Sequence, residues 1–386
     1  MAPADVPLLD GPVDIRGALD LERTKAGVRP WRLPSWTRPQ FPNPFCENAV
    51  AQPSGVRIAF GTEATALELD VLITGIMNVA AGEVWPGGVF ELVVDGMPVQ
   101  RVATPDGNVL VLDPAGVKPP EIEPGEPATL RFGPLPPGRK QVEIWLPQSA
   151  QVQLISLRAD GPVHPPEPDT RPRWVHHGSS ISHCGEADSP LGSWPVVAAR
   201  AADVNVLNLG LSGNAMLDPF TARTIRDVPA DWISLKLGIN LVNGDTMRLR
   251  AFEPAVHGFI DTIREGHPDT PLLVISPILC PMVEDRPGPT LPVMENGVLR
   301  FDTAGDPAQL AEGALSLSVI RDALHRIVAE RSATDPNLHY LDGRELFGES
   351  DIADLPDALH PNAAGYRRMG ERFAAFAFAD GGPFTR

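Results

Sequence analysis

From Trp174 onward, short apolar runs alternate with longer segments of helical period, and this alternation limits the available folds more than any other feature. The runs are "WVHH", "VNVLNLGL", "WISLKLGI", "PLLVISPI" and "LHYLDG". Between and after them lie "SWPVVAARAA", "RLRAFEPAVHGFIDTIREG", "LSLSVIRDALHRIVAERSA" and "AGYRRMGERFAAFAF". Strands alternating with helices make βαβ units and a parallel sheet covered on both faces. In such a sheet the functional site lies off the carboxyl ends of the strands.

The half before it has a different grammar. From Val56 to Arg158, runs such as "ALELDVLITG", "VFELVVDG", "ATLRFGPL" and "KQVEIWLP" show partial alternation, are separated by Gly, Pro or Asp-Gly, and lack helical periodicity. This spacing predicts an antiparallel sandwich. "PVHPPEPDTRPR", Pro162 to Arg173, reads as a stiff proline-rich linker. The expected organisation is an N-terminal segment with a β-sandwich domain over 1–165 and an α/β domain over 166–386. A chain of 386 residues, 43% hydrophobic, is long enough to bury two such cores.

The formal net charge of −17 argues against nucleic acid, whose phosphates need a basic surface, and against anionic membranes. No apolar run approaches the ~20 residues of a membrane span. The opening "MAPADVPLLDGPVDIRG" carries no basic segment followed by an apolar core, so the expectation is a cytoplasmic protein. Cys46, Cys184 and Cys280 are far apart, which disfavours a disulfide framework or a thiolate metal site. No metal or cofactor is expected.

Four segments place chemistry at successive strand ends. "WVHHGSSISHCG" follows the first strand: Gly178 permits a sharp turn, and Ser180 projects a hydroxyl from it. "NLGLSGNA" follows the second, where Gly213 lets a backbone N–H approach a ligand oxygen. "KLGIN" brings Asn240 and its amide donors to the same edge. "DALHPNAAGYRRMG", after the fifth strand, sets Asp357 three residues before His360, on one turn, with Pro361 and a helix behind. Taken singly, each is an ordinary turn or helix cap. Together they supply a nucleophile, a base with its orienting carboxylate, and oxyanion donors, which is what acyl transfer requires.

"GSSIS", "LSGN", "LGIN" and "DALHP", in that order, resemble the four blocks of the SGNH (GDSL) hydrolase superfamily, over roughly Trp174 to Ala379. The resemblance implies a flavodoxin-like three-layer α/β/α fold. It also implies Ser180 as nucleophile, Asp357 and His360 as the rest of the triad, and an oxyanion hole from Gly213, Asn240 and the Ser180 backbone N–H. Two positions depart from the pattern. Ser179 stands where an aspartate usually precedes the nucleophile, which leaves Ser179 as an alternative attacking group. Leu241 stands where an aspartate usually follows the asparagine. The layout of a jelly-roll-like β-sandwich ahead of the catalytic domain resembles a narrower bacterial GDSL group that includes a salicylyl acyltransferase of tetracycline biosynthesis. "RGALDLERTKAGVRPWRLP" looks like that group's opening segment.

The implied partners are a small-molecule ester or thioester donor and either water or an alcohol acceptor. Between Cys280 and Pro307 runs a long connection at the active-site edge. It reads either as a clamp whose Met282, Val283, Leu291 and Met294 wall an apolar acyl pocket, or as a surface excursion with a small hairpin. His176, His177, His183 and Cys184, which flank the serine, read as structural. A different class stays open, a binding protein holding a small molecule or carbohydrate on a degenerate scaffold.

Overall fold

The fold is described from a computed structural model, which covers residues 3–78, 83–84, 87–112 and 118–385. The chain divides into two compact units, Met1–Thr170 with Asp188–Leu191, and Arg171–Ala187 with Gly192–Arg386.

In the first unit, strands Arg57–Thr62, Gly88–Val94, Met97–Thr104 and Lys140–Trp145 belong to one sheet. Gly27–Trp31, Leu67–Asn78, Ala128–Phe132 and Gln151–Ala159 belong to a second. Pairing is antiparallel throughout, except where Asn108–Val111 runs parallel to Leu67–Asn78. Alternation along each strand sends one set of side chains inward. Ile58, Phe60, Leu92 and Ile144 from the first sheet meet Leu69, Val71, Val152 and Leu154 from the second in a single apolar cluster. The stretch expected to be a linker is partly drawn into this unit, since Val163–His164 pairs with Thr62 and Gly61 at the sheet edge. A two-residue pairing answers the edge strand's unmet backbone groups and leaves no periodic trace in sequence.

The second unit is built on five parallel strands, β1 (Arg173–Gly178), β2 (Asn205–Gly210), β3 (Trp232–Lys236), β4 (Leu272–Ile275) and β5 (Leu338–Leu341). Their spatial order is β2-β1-β3-β4-β5, the doubly wound order in which the chain reverses direction beside β1. Every residue of β3 and β4 is buried, which is why these strands read as continuous apolar runs. The helices are α1 (Ser180–His183), α2 (Trp194–Ala201), α3 (Pro219–Asp227), α4 (Ile239–Asn243), α5 (Leu249–Gly266), α6 (Leu317–Arg331) and α7 (Ala363–Ala377). Trp174 on β1 stacks on Phe373 of α7, with ring centroids 4.8 Å apart, and abuts Trp194 of α2. Truncating so large a buried ring costs about 3–5 kcal/mol. Among the described residues, no helix is long and apolar enough to cross a membrane.

Candidate active site

The site is assembled at the carboxyl ends of the strands. β1 stops at Gly178, where an added side chain would force its neighbours to shift: a Cβ would sit 2.3 Å from Ser182 Oγ and 3.1 Å from the Lys236 carbonyl. Ser179 then caps α1, its Oγ accepting from the Ile181 N–H at 3.3 Å. The hydroxyl of the alternative attacking group thus serves as the cap of the helix, whereas Ser180 Oγ meets His360. Ser180 becomes the first residue of α1, where backbone N–H groups lack partners within the helix.

Ser180 Oγ lies 3.0 Å from His360 Nε2, across 180 residues of sequence. The other ring nitrogen, Nδ1, is 2.6 Å from Asp357 Oδ2. Asp357 and His360 do not share a helical turn. They sit in the loop before α7, and Asp357 Oδ1 accepts from the backbone N–H groups of Leu359 at 2.9 Å and His360 at 2.6 Å. One carboxylate thereby holds both the backbone and the ring of the histidine. Helix α7 starts after Pro361, with Asn362 Oδ1 accepting from the Gly365 N–H at 2.9 Å.

The second and third strand ends are tied together. Asn240, in the first turn of α4, accepts the Ala215 N–H on its Oδ1 at 3.0 Å. This bond fixes the amide's orientation and leaves both donors of Nδ2 for a ligand. Gly213, in the loop that Ala215 closes, has φ +66°, a conformation glycine adopts without strain. Ser180, Gly213 and Asn240 lie at the carboxyl ends of β1, β2 and β3, and Asp357 and His360 lie in the loop preceding α7.

A further carboxylate had no sequence signal. Glu186 Oε1 is 3.7 Å from His360 Nδ1, and Glu186 Oε2 accepts from the Tyr366 hydroxyl at 2.8 Å. Burial of the imidazole opposes its charged form, but Glu186 and Asp357 outweigh burial and raise its pKa to about 9. Burial likewise pushes the Asp357 carboxyl up. The hydrogen bonds from His360 and from the backbone more than offset this, so it stays below its ordinary value. The Tyr366 hydroxyl is raised well above its usual pKa by burial and by Glu186, and remains a donor.

The residues flanking the serine form its footing. His176 bonds Ser234 Oγ at 2.7 Å and Ser182 Oγ at 2.8 Å, and burial drives its pKa well below the usual imidazole value. His177 Nδ1 meets the Leu209 carbonyl at 2.8 Å, and His183 Nδ1 accepts from the Ser212 N–H at 3.4 Å. Cys184 turns the chain with φ +60° and directs its thiol to the Ile181 carbonyl at 3.2 Å. Among the described residues, no group of three His, Cys, Asp or Glu converges to hold a metal ion.

The long connection is a hairpin, Thr290–Glu295 against Val298–Thr303. It bonds to the histidine loop through the Phe301 N–H and the Asp357 carbonyl at 2.9 Å, and the Phe301 ring meets the His360 ring edge-on at 5.7 Å. The four residues expected to wall one pocket are dispersed. Val283 is fully buried in the core, Met282 lies in the short turn Pro281–Val283, and Leu291 and Met294 are exposed on the hairpin. Period two separates the last pair. Met294 pairs with Leu299 on the face that carries Phe301, and Leu291 pairs with Asp302 on the opposite face.

Residues 177–368 match the sequence model of the GDSL-like Lipase/Acylhydrolase family, and residues 13–155 match that of the SsfX3 N-terminal domain. Among solved structures, the chain is similar to the salicylyl-acyltransferase SsfX3 from a tetracycline biosynthetic pathway. The identity is 27%, coverage is 96% of this chain and 95% of that one, and the TM-score is 0.78. A candidate GDSL-like lipase from Bacteroides ovatus ATCC 8483 shares 18% identity over 94% and 95% of the two chains, with a TM-score of 0.64. A family two carbohydrate esterase from Clostridium thermocellum shares 15% identity over 83% and 91%, with a TM-score of 0.56. The last two likenesses show the fold alone. A search of curated protein sequences gave no match.

Proposed function

The C-terminal domain belongs to the GDSL-like lipase/acylhydrolase family, and on that premise we propose that the chain forms an acyl-serine on Ser180 from a small-molecule ester or thioester. The observation that carries this reading is the continuous line from Asp357 through His360 to Ser180, with hydrogen-bond lengths of 2.6 and 3.0 Å.

His360 Nε2 takes the Ser180 proton as Oγ attacks the acyl carbonyl. Negative charge develops on the carbonyl oxygen, and the donors offered to it are Asn240 Nδ2 and the backbone N–H groups of Ser180 and Gly213. Collapse expels the alcohol or thiol, which leaves with the proton from His360. The imidazole, neutral again, then deprotonates water or a bound acceptor hydroxyl, and the acyl group moves to it.

Hydrolysis and transfer differ only in which oxygen reaches the acyl-serine. The likeness to a salicylyl-acyltransferase along nearly the whole chain favours transfer of an aryl acyl group to a hydroxyl. A fluorophosphonate probe tests the nucleophile: labelling of the native protein that is lost in Ser180→Ala supports it, and a folded sample that takes no label overturns it. Aryl esters and thioesters supplied with and without polycyclic alcohols then separate hydrolysis from transfer.

A further inference from the structure

The N-terminal unit contains a cavity of about 290 Å³ on its nine-stranded sheet. At roughly 30 Å³ per liquid water, that is space for a molecule of monosaccharide size. Apart from Val152 and the residues around the turn at Thr24–Ala26, the residues lining it lie on the sheet face opposite the apolar core. Val152 and Leu154 enter the core, so Gln151 and Gln153 point the other way. Their cross-strand partners are Thr74 and Leu72. The neighbouring strand pairs Val28 with Leu154, which brings Arg29 alongside Gln153.

Three features make this more than a polar dent. Gln153 is 7% exposed, and its Nε2 has no hydrogen-bond partner among the described residues. A buried amide donor without an acceptor is rare in folded proteins, and it lines the cavity. Arg29 and Lys25, on the same lining, form no ion pair among the described residues, although the chain carries 49 acidic side chains. Arg29 only approaches the Trp31 ring, at 6.0 Å. The remaining polar groups are already engaged in ways that fix the wall. Asn108 Nδ2 donates to Thr74 Oγ1 at 3.3 Å and its Oδ1 accepts from the Gly125 N–H at 2.9 Å, while Gln151 Nε2 donates to Asn48 Oδ1 at 2.9 Å. Thr74, accepting from Asn108, keeps its own hydroxyl proton to give.

Among the described residues, the lining therefore offers donors and positive charge, and no carboxylate. We propose that this cavity binds a small hydroxylated carboxylate, whose anionic group meets Arg29 and Lys25 and whose oxygen accepts from Gln153 Nε2. A planar guanidinium suits a carboxylate in two-point contact, and hydroxyls on the ligand answer Thr74.

The test is calorimetric titration of the full-length protein with glucuronate, with glucose as the uncharged control. Glucuronate binds one to one, and glucose binds at least about tenfold more weakly for want of the charged contact. Gln153→Leu, Arg29→Gln and Lys25→Ala each weaken glucuronate roughly tenfold and leave p-nitrophenyl acetate turnover unchanged. Lys25 is exposed on a turn, so its variant stays informative if Gln153→Leu fails to fold. Four results overturn the proposal. They are no glucuronate binding at roughly 10 mM, undiminished binding in Lys25→Ala, glucose bound as tightly as glucuronate, and binding abolished by fluorophosphonate at Ser180.

Discussion

Glu186 Oε1 stands 3.7 Å from His360 Nδ1, so the imidazole faces two carboxylates, with Asp357 Oδ2 at 2.6 Å. The groups around the ring are these two acids, the Ser180 hydroxyl and the Phe301 edge, with Tyr366 held behind Glu186. A base must be neutral to accept the serine proton, and here its pKa is about 9. Activity is therefore expected to climb from neutral pH and level off only near pH 9. Glu186→Gln keeps an acceptor for Tyr366 but removes a negative charge, so the rising limb of kcat/KM moves to lower pH by roughly one unit. The same charge has a stability consequence of opposite sense. A histidine whose folded pKa lies above its ordinary 6.5 stabilises fully below that value and loses the contribution as pH rises through about 9. A kcat/KM profile with the same acid limb in native protein and Glu186→Gln would remove Glu186 from the base's environment.

Asn240 carries two duties that substitution can separate. Its Oδ1 holds the Ala215 N–H, and in the proposed mechanism its Nδ2 is the donor to the developing oxyanion. Asn240→Ala is expected to lower kcat by about 10²–10³, with a smaller effect on KM. Asn240→Asp preserves the acceptor for Ala215 yet presents negative charge where a donor stood, so its kcat falls at least as far. Were Asn240→Asp to retain near-native kcat in steady-state assays, the asparagine would be a loop anchor and nothing more.

How much of this could be read beforehand follows from the range of each interaction. The parallel sheet was legible because strands buried on both faces leave unbroken apolar runs, as "WISLK" does in β3. That Ser180, Gly213 and Asn240 come to one edge is legible because in a doubly wound sheet every strand's carboxyl end faces the same edge. The contact of Glu186 with His360 was hidden, since it depends on the path of the chain after the αL turn at Cys184. The dispersal of Met282, Val283, Leu291 and Met294 has a simpler cause. They are near one another in sequence, but the hairpin sends Leu291 and Met294 to opposite faces by parity, and the turn Pro281–Val283 buries Val283 in the core. The three-residue spacing of Asp357 and His360 predicts neighbours on one turn. They meet instead through a loop that the aspartate itself caps.

Lys236 closes β3 beneath the site, 2% exposed, and its Nζ has no hydrogen-bond partner among the described residues. Burial lowers its pKa to about 7. The unfolded chain holds this proton up to about pH 10.5 while the folded chain releases it near 7. Unfolding therefore takes up a proton across that window, and stability rises with pH through it. Lys236→Met, of similar length and without the charge, is expected to raise Tm at pH 7 by a few degrees, a gain over the native protein that shrinks toward pH 10. Thermal unfolding at both pH values reads this directly, and an unchanged or lowered Tm at pH 7 would mean that Nζ is stabilised where it lies.

Under the proposed acyl-serine mechanism, the hairpin beside His360 is the element to test for control over which acyl groups enter. Its Phe301 face, with Pro292, Met294 and Leu299, is the one turned to the His360 ring, whereas Leu291, Val293, Arg300 and Asp302 occupy the other. If the acyl chain lies against the first face, an apolar donor loses contact area when Met294 becomes serine, and it loses none when Leu291 does. Removing two or three buried methylene equivalents is worth about 2 kcal/mol, or a factor of roughly 30 in binding. Met294→Ser is therefore expected to raise KM for an aryl or long-chain ester by about that factor, while acetyl ester turnover stays close to native. Leu291→Ser should leave both substrates unaffected, because its side chain stands on the far side. Equal KM changes in the two variants would show that the hairpin acts on substrate as a whole, and a Leu291 effect alone would place the acyl group on the opposite face.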